Sequence, residues 1–282
     1  MSLISSGWDD YRLLDSGDGC RLEQVGGRTV VRPDGNVLWK PEAPNQAGWQ
    51  RPDLRFNPGL PSNWDGDPEQ VEKGWTLAYG QAIFRVRPTP FRHLGIFPEQ
   101  EPQWEKAAGL VRQRGGHPRV LNLFAYTGAA SVLLAQAGAS VCHVDASKGS
   151  VMWARENARL SGLPEDAIRW ILDDVPKFLR REVRRGSRYD LILADPPVFG
   201  RGPRGEIWRL EERLSELAFL CGELLSEKPL GFFLNFYATA LYPESVLRAA
   251  QSVVPLPLAL ETVGIRESIS GKVLQTGFCL SS

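Results

Sequence analysis

Two aspartates stand where chemistry is possible: Asp145, which closes the run VCHVD, and Asp195, which opens DPPVF. Each follows an apolar stretch, residues 141–144 and 189–194, of the kind a parallel strand buried on both faces produces. Both carboxylates are therefore expected at the carboxyl ends of strands in one sheet, where open α/β folds bind ligands. Asp145 is suited to grip a ribose diol by two hydrogen bonds. Asp195 precedes Pro196 and Pro197, so its backbone is pushed into an extended conformation, and the prolines lack N–H groups and fix their own φ. The result is a stiff acid-Pro-Pro-aromatic platform. Its carboxylate and carbonyls can accept from the amine of a planar ring while Phe199 stacks on the ring face.

The facing wall comes from residues 120–145, VLNLFAYTGAASVLLAQAGASVCHVD. The pattern predicts a strand over 120–123, a sharp turn at Thr127-Gly128, a helix over 129–137 ended by Gly138, and the strand that delivers Asp145. Gly128 tolerates positive φ and close approach of a ligand to the backbone. A dinucleotide's pyrophosphate calls for three spaced glycines at a helix amino terminus. Here Gly128 stands alone, with Phe124 and Tyr126 before it and Ser131 after it. Such a turn fits a cofactor without phosphates, carrying an amino acid in their place: S-adenosylmethionine. A glycine turn plus an acid also suits an ordinary crossover with no ligand. The Asp-Pro-Pro strand end in the same α/β run favours the cofactor site.

NLFAYTGAASV together with DPPVF resembles the class I S-adenosylmethionine-dependent methyltransferases, and within them the ribosomal-RNA large-subunit group that modifies cytosine or guanine. The likeness runs from about residue 75 to the C-terminus and includes FRHLGIFPEQ, residues 91–100. It implies that Asn122, Phe124, Tyr126, Thr127 and Gly128 surround the methionine part of the cofactor, that Asp145 holds the ribose, and that Ala146 and Ser147 border the adenine. Asp174 would accept from the adenine amine, with Asp173 as its rival. Asp195 and Pro196 would face both the transferable methyl and the acceptor, making Asp195 the catalytic candidate. Pro197, Phe199 and Tyr237 would border the acceptor, although Tyr237 is equally suited to the core. The chain departs from the group in two places. Members with covalent cytosine-5 chemistry place a cysteine after the strand that follows Asp-Pro-Pro. Here residues 231–243, GFFLNFYATALYP, contain none, and Ala238 takes that place. The upstream loop also carries Glu99-Gln100-Glu101 where the group has an arginine, so a partner for the cofactor carboxylate is missing.

The 282 residues expected to position these groups hold 33 Lys plus Arg and 33 Asp plus Glu, so no global field draws the chain to nucleic acid. RNA contact would rest on local basic patches, Arg201 and Arg204 in a glycine-rich loop and Arg85, Arg87 and Arg92 near the domain junction; solvated surface explains both equally well. The four cysteines form no C-x-x-C pair, which excludes a zinc ribbon or redox dithiol and fits a reducing compartment. No metal is expected. The N-terminus lacks a cationic start followed by an apolar core, and no run reaches membrane-helix length, so a cytoplasmic protein is expected. Of the histidines only His93 has a claim to the site; His143 alternates within a strand and reads as packed.

The organising expectation is an α/β chain: residues 1–90 a small N-terminal antiparallel β unit with turns at Gly26-Gly27 and Asp34-Gly35, residues 91–282 a methyltransferase domain on a doubly wound, seven-stranded, mostly parallel sheet. Residues 41–74, punctuated by prolines, read as irregular. The expected activity is in-line methyl transfer to a ribosomal RNA base. Its alternatives are transfer to a protein side chain or small molecule on the same scaffold, and a cofactor-binding interaction module with little activity.

Overall fold

The computed structural model describes residues 2–202, 204–237 and 239–282. By contact density the chain forms two compact units. One is built on Pro102–Thr262 and Gly277–Ser282, the other on Leu3–Glu101 and Val263–Thr276.

The main sheet is ordered Ser2–Ser5, Ala259–Arg266, Val273–Ser281, Gly231–Phe236, Leu191–Ala194, Arg119–Leu123, Ser140–Asp145, Ile168–Leu172. Its last five strands pair in parallel, and Val273–Ser281 runs antiparallel to Gly231–Phe236. The sheet is α/β and mostly parallel as expected. It has eight strands rather than seven, because the short N-terminal segment Ser2–Ser5 adds to the edge. Four residues are too few to show a period.

Burial on both faces explains the apolar runs. All of Leu191–Ala194 and Gly231–Phe236 are buried, since helices cover each side of a parallel sheet. The helix Ala129–Gln136 buries Ala129 to Leu134 without interruption, so its small side chains let it lie close to the strands. Gly138, at φ 100, follows the helix and stops it. The helix Leu210–Leu224 turns Leu210, Leu214, Leu217, Cys221 and Leu224 inward at helical spacing. They meet Phe178, Phe232 and Phe236, all fully enclosed. Truncating one such phenylalanine to alanine costs about 3–5 kcal/mol, enough to threaten the platform that holds both aspartates.

The smaller unit carries a five-stranded sheet, Tyr11–Gly17, Cys20–Val25, Arg28–Pro33, Leu54–Phe56 and Trp64–Gly66, and a separate hairpin, Trp75–Tyr79 with Ala82–Val86. Gly26 and Gly27 make the expected turn with φ of 55 and 76. Asp34-Gly35 does not form a hairpin. The Asp34 side chain instead pairs with buried Arg21, and the earlier hairpin turns at Asp18-Gly19. Residues 41–74 are more regular than their prolines imply, containing two three-residue strands and the short helices Ala47–Gln50 and Pro68–Lys73. Glu99 lies 3.9 Å from the Arg21 guanidinium. Arg32 donates to both oxygens of Glu23 at 2.5 and 2.8 Å, and the Tyr11 hydroxyl donates to Glu23 at 2.7 Å. Among the described residues no helix is long and apolar enough to cross a membrane.

Candidate active site

Register places the chemistry. Leu123 lies between Val144 and Ala194 in the parallel ladder, so Asp145, Phe124 and Asp195 leave three neighbouring strands at one level. With strands ~4.8 Å apart, the two aspartates stand roughly 10 Å from each other across Phe124.

The turn that follows Phe124 is more unusual than its glycine implies. Phe124 (φ 53), Tyr126 (φ 48) and Gly128 (φ 82) are all left-handed. Bulky residues hold that conformation only when their surroundings fix it, and such residues gather at functional sites. Here the fixing contacts are explicit. The Ala125 N–H donates to the Val144 carbonyl at 3.1 Å, and the Tyr126 N–H donates to Asp145 Oδ2 at 2.8 Å. The other Asp145 oxygen accepts from the Ser147 N–H at 2.8 Å. Burial raises the Asp145 pKa, while the N–H groups of Ser147, Tyr126 and Ala146 draw it back toward the charged form. Asn157 donates to the Thr127 carbonyl at 2.8 Å and steadies the end of the turn. A Cβ on Gly128 would come within 2.9 Å of the Ala154 Cβ, so glycine is needed there for space as well as for φ.

Beneath the turn lies a buried polar chain. Asn122 Nδ2 donates to Ser131 Oγ at 2.9 Å, and Ser131 Oγ is 3.0 Å from His143 Nδ1. The Asn122 amide N–H is thus directed at this support. His143 is fully enclosed, its Nε2 has no hydrogen-bond partner, and burial lowers its pKa to about 3. It is a neutral packed residue, as its alternation in the strand implies. His93 lies in the smaller unit, its ring 5.3 Å from Phe97, and burial with nearby arginines lowers its pKa to about 4.

On the far side of Asp145, Ser147 caps the helix Lys148–Leu160 by accepting from the Ser150 N–H, directly after half-buried Ala146. Asp173 and Asp174 follow the neighbouring strand, and the Asp173 N–H donates to the Asp145 carbonyl at 3.2 Å. The two acids have different duties. Asp173 forms an ion pair with Arg181 at 2.8 Å and accepts from the Asp174 N–H at 3.0 Å. Asp174 caps the helix Val175–Arg184 through one oxygen, at 3.1 Å from Lys177 N, and burial raises its pKa.

Asp195 is half-buried, with its N–H on the Leu123 carbonyl at 3.3 Å, and Pro196 behind it is buried. The segment after Pro197 is a β-hairpin, Phe199–Arg201 paired with Ile207–Arg209, where a glycine-rich loop was expected. Its inner residue Trp208 packs on the Phe124 ring at 4.8 Å and donates its indole N–H to the Pro197 carbonyl at 2.6 Å. Trp208 thereby ties the Asp-Pro-Pro loop to the glycine turn. The alternation E-I-W-R beyond G-P-R-G is the signal that could have revealed it. Phe199, 53 % exposed, is on the opposite face of the hairpin.

Asn235 is the residue level with Asp195 on the next strand. It is buried and its Oδ1 has no partner; its signal is one amide in the apolar run GFFLNF. Tyr237 comes two residues later, half-buried, its Cβ close to where a Cβ on Gly277 would lie. Cys279 pairs with Asn235 but is fully buried, and burial pushes its thiol pKa well up, so it is no nucleophile. Ala238 lies outside the described residues. Among the described residues no three His, Cys, Asp or Glu side chains are grouped to hold a metal ion.

A family model described as S-adenosylmethionine-dependent methyltransferase matches residues 74–229. The chain is 41 % identical to the SAM-dependent methyltransferase from Agrobacterium tumefaciens, a crystal structure that it matches over 100 % of its own length and 92 % of that chain, with a TM-score of 0.93. A second crystal structure, SMU.776 in complex with SAH, shares the fold at 18 % identity and a TM-score of 0.73, covering 98 % of this chain and 76 % of that one. Over 132 residues the chain is 37 % identical to ribosomal RNA large subunit methyltransferase K/L of Shewanella baltica, a match to 46 % of this chain and 18 % of that longer protein.

Proposed function

From the premise that this chain belongs to the S-adenosylmethionine-dependent methyltransferase family, we propose that its acceptor is an unpaired base of ribosomal RNA, methylated by direct in-line transfer. The observation that carries the proposal is the level placement of Asp145 and Asp195 on either side of a turn that holds no cationic side chain from Phe124 to Ser131. This donor set fits the cofactor: carboxylates suit a ribose diol and a cationic sulfur, and the turn lacks the three spaced glycines that let a pyrophosphate approach a helix amino terminus.

In this reading Asp145 accepts from the ribose hydroxyls, keeping its two backbone N–H donors. Ala146 and Ser147 border the adenine, and Asp174 accepts from its amine through the oxygen not used in capping. Asp173, engaged with Arg181, orients that corner. Phe124, Tyr126, Thr127 and Gly128 enclose the methionine part, and Asn122 supports them from below through Ser131. S-adenosylmethionine supplies a methyl group already activated by a positively charged sulfur.

The protein's own work is therefore alignment and charge placement. Asp195 and the Pro196 carbonyl accept from the acceptor's amine and orient its lone pair along the transfer axis, and the Asp195 carboxylate offsets the positive charge on the alkylated nitrogen and accepts the proton it then loses. Pro197 and Tyr237 border the ring of the base, which must be flipped or single-stranded to enter, whereas Phe199, on the outward face of the hairpin, is turned away from it and does not supply the stacking on that base expected of it. The named Shewanella relative supports an RNA acceptor, and the absence of a cysteine from residues 231–243 supports a route without covalent attack. The equal numbers of acidic and basic residues keep a protein acceptor as the second reading.

Incubation with methyl-tritiated cofactor and, separately, deproteinised ribosomal RNA, intact ribosomal subunits and lysate protein tests the proposal. Label is expected in RNA. Label in protein alone refutes it.

A further inference from the structure

We infer that the outer face of the hairpin formed by Phe199–Arg201 and Ile207–Arg209 is a docking surface for single-stranded RNA that carries the acceptor base. This inference rests on the RNA reading above and adds where the strand is held.

The hairpin has two unlike faces. Directly opposed residues of an antiparallel pair share a face, and the register sets Gly200 against Trp208, Phe199 against Arg209 and Arg201 against Ile207. Trp208, 4 % exposed, is the clasp that faces inward. The other four residues point outward and all are exposed, with Phe199 at 53 % and Ile207 at 54 %. Arg204 is exposed at the tip. Neither apolar side chain is explained by packing in the unit, and they stand in a checkerboard with two arginines.

The neighbouring acids offset part of this charge, since Glu206 interacts with Arg204 and Glu211 with Arg209, but each is also engaged elsewhere. Glu206 turns back to accept from the Arg204 backbone N–H at 2.9 Å. Glu211 accepts from the Thr239 hydroxyl at 3.0 Å. Glu212 meets Arg209 at 3.5 Å in an exposed pair, which is weak and exchangeable. Arginines beside an exposed aromatic ring match phosphates beside unstacked bases, the combination that single-stranded nucleic acid presents. A duplex offers no free base face to Phe199. The indole bond from Trp208 to Pro197 then fixes the docked strand relative to Asp195.

The test is binding of a labelled single-stranded oligoribonucleotide, measured by fluorescence anisotropy across a salt series, with cofactor affinity measured by calorimetry on the same samples. Arg201→Ala with Arg209→Ala is expected to reduce the slope of log affinity against log salt by about 1.4, from about 0.7 per phosphate contact on a single strand. Phe199→Ala is expected to weaken binding roughly tenfold at every salt concentration through lost stacking. Cofactor affinity should stay at the wild-type value, showing that the fold is intact. If wild type methylates RNA and the variants keep its affinity and salt slope, the hairpin is not the docking surface and the RNA reading stands. If wild type labels protein and no RNA, both fall.

Discussion

Acidification should destabilise the fold through His143, and the size of the effect can be worked from its burial. The imidazole is fully enclosed, its Nε2 lacks a partner, and its pKa is lowered from 6.5 to about 3. A group depressed on folding contributes stability that is complete above the unfolded value and is lost as pH falls toward the folded one. The window therefore runs from about pH 6.5 down to about 3. Between pH 7.5 and 5 the unfolded chain gains nearly a full proton that the folded state refuses, a loss of about 2 kcal/mol. His143→Asn keeps a polar partner for Ser131 and removes the titration. In urea unfolding followed by tryptophan fluorescence, wild type should lose about 2 kcal/mol more than the variant over that interval. His93, lowered to about 4, titrates in the same range but is present in both proteins and cancels in the difference. Parallel stability profiles for the two proteins would refute the reasoning.

If Asp145 holds the ribose as proposed, Asp145→Asn should weaken cofactor binding by about 1.5–3 kcal/mol, roughly ten- to a hundredfold, in calorimetry; unchanged affinity would remove that role. Asp195→Ala should abolish single-turnover methyl transfer while leaving cofactor affinity near normal, and retained turnover would exclude Asp195 from the acceptor step. Asp174→Asn should weaken cofactor binding, whereas Asp173→Asn should chiefly lower the melting temperature by breaking the Arg181 pair. The opposite result would exchange the two assignments.

The central parallel strands could be read from sequence because they are buried on both faces, so VLNL, VCHV and LILA are mostly apolar, broken only by Asn122 and His143. Gly128 and Asp-Pro-Pro were legible for another reason: glycine enters the left-handed region without penalty, while proline fixes its own φ and restricts the residue before it. The left-handed Phe124 and Tyr126 were not. Nothing in their chemistry prefers that geometry, which comes from Asp145 and Val144 on the adjacent strand. The contest between Asp173 and Asp174 was likewise undecidable from adjacent identical residues, and their unequal duties depend on where Arg181 and Lys177 lie. Trp208 escaped notice because three-residue strands hardly display a period, and its value lies in contacts with Phe124 and Pro197, far away in sequence or hidden in a turn. Ser2–Ser5 joined the main sheet for a reason of the same kind: a partner 250 or more residues away decides what four residues do.

The two left-handed aromatics make the resting turn costly, at about 1–3 kcal/mol each. Glycine at either position would relieve that tension but give up ring packing, of Phe124 on Trp208 and of Tyr126 beside Trp153, and the softened loop would sample many shapes before capturing its ligand. Natural aromatic residues there mean that ordering is completed during folding, and little of the binding energy is consumed in sculpting the receptor. Glycine at 124 or 126 should therefore give a protein that turns over slowly at scarce cofactor, because the loop must then be ordered at the moment of binding.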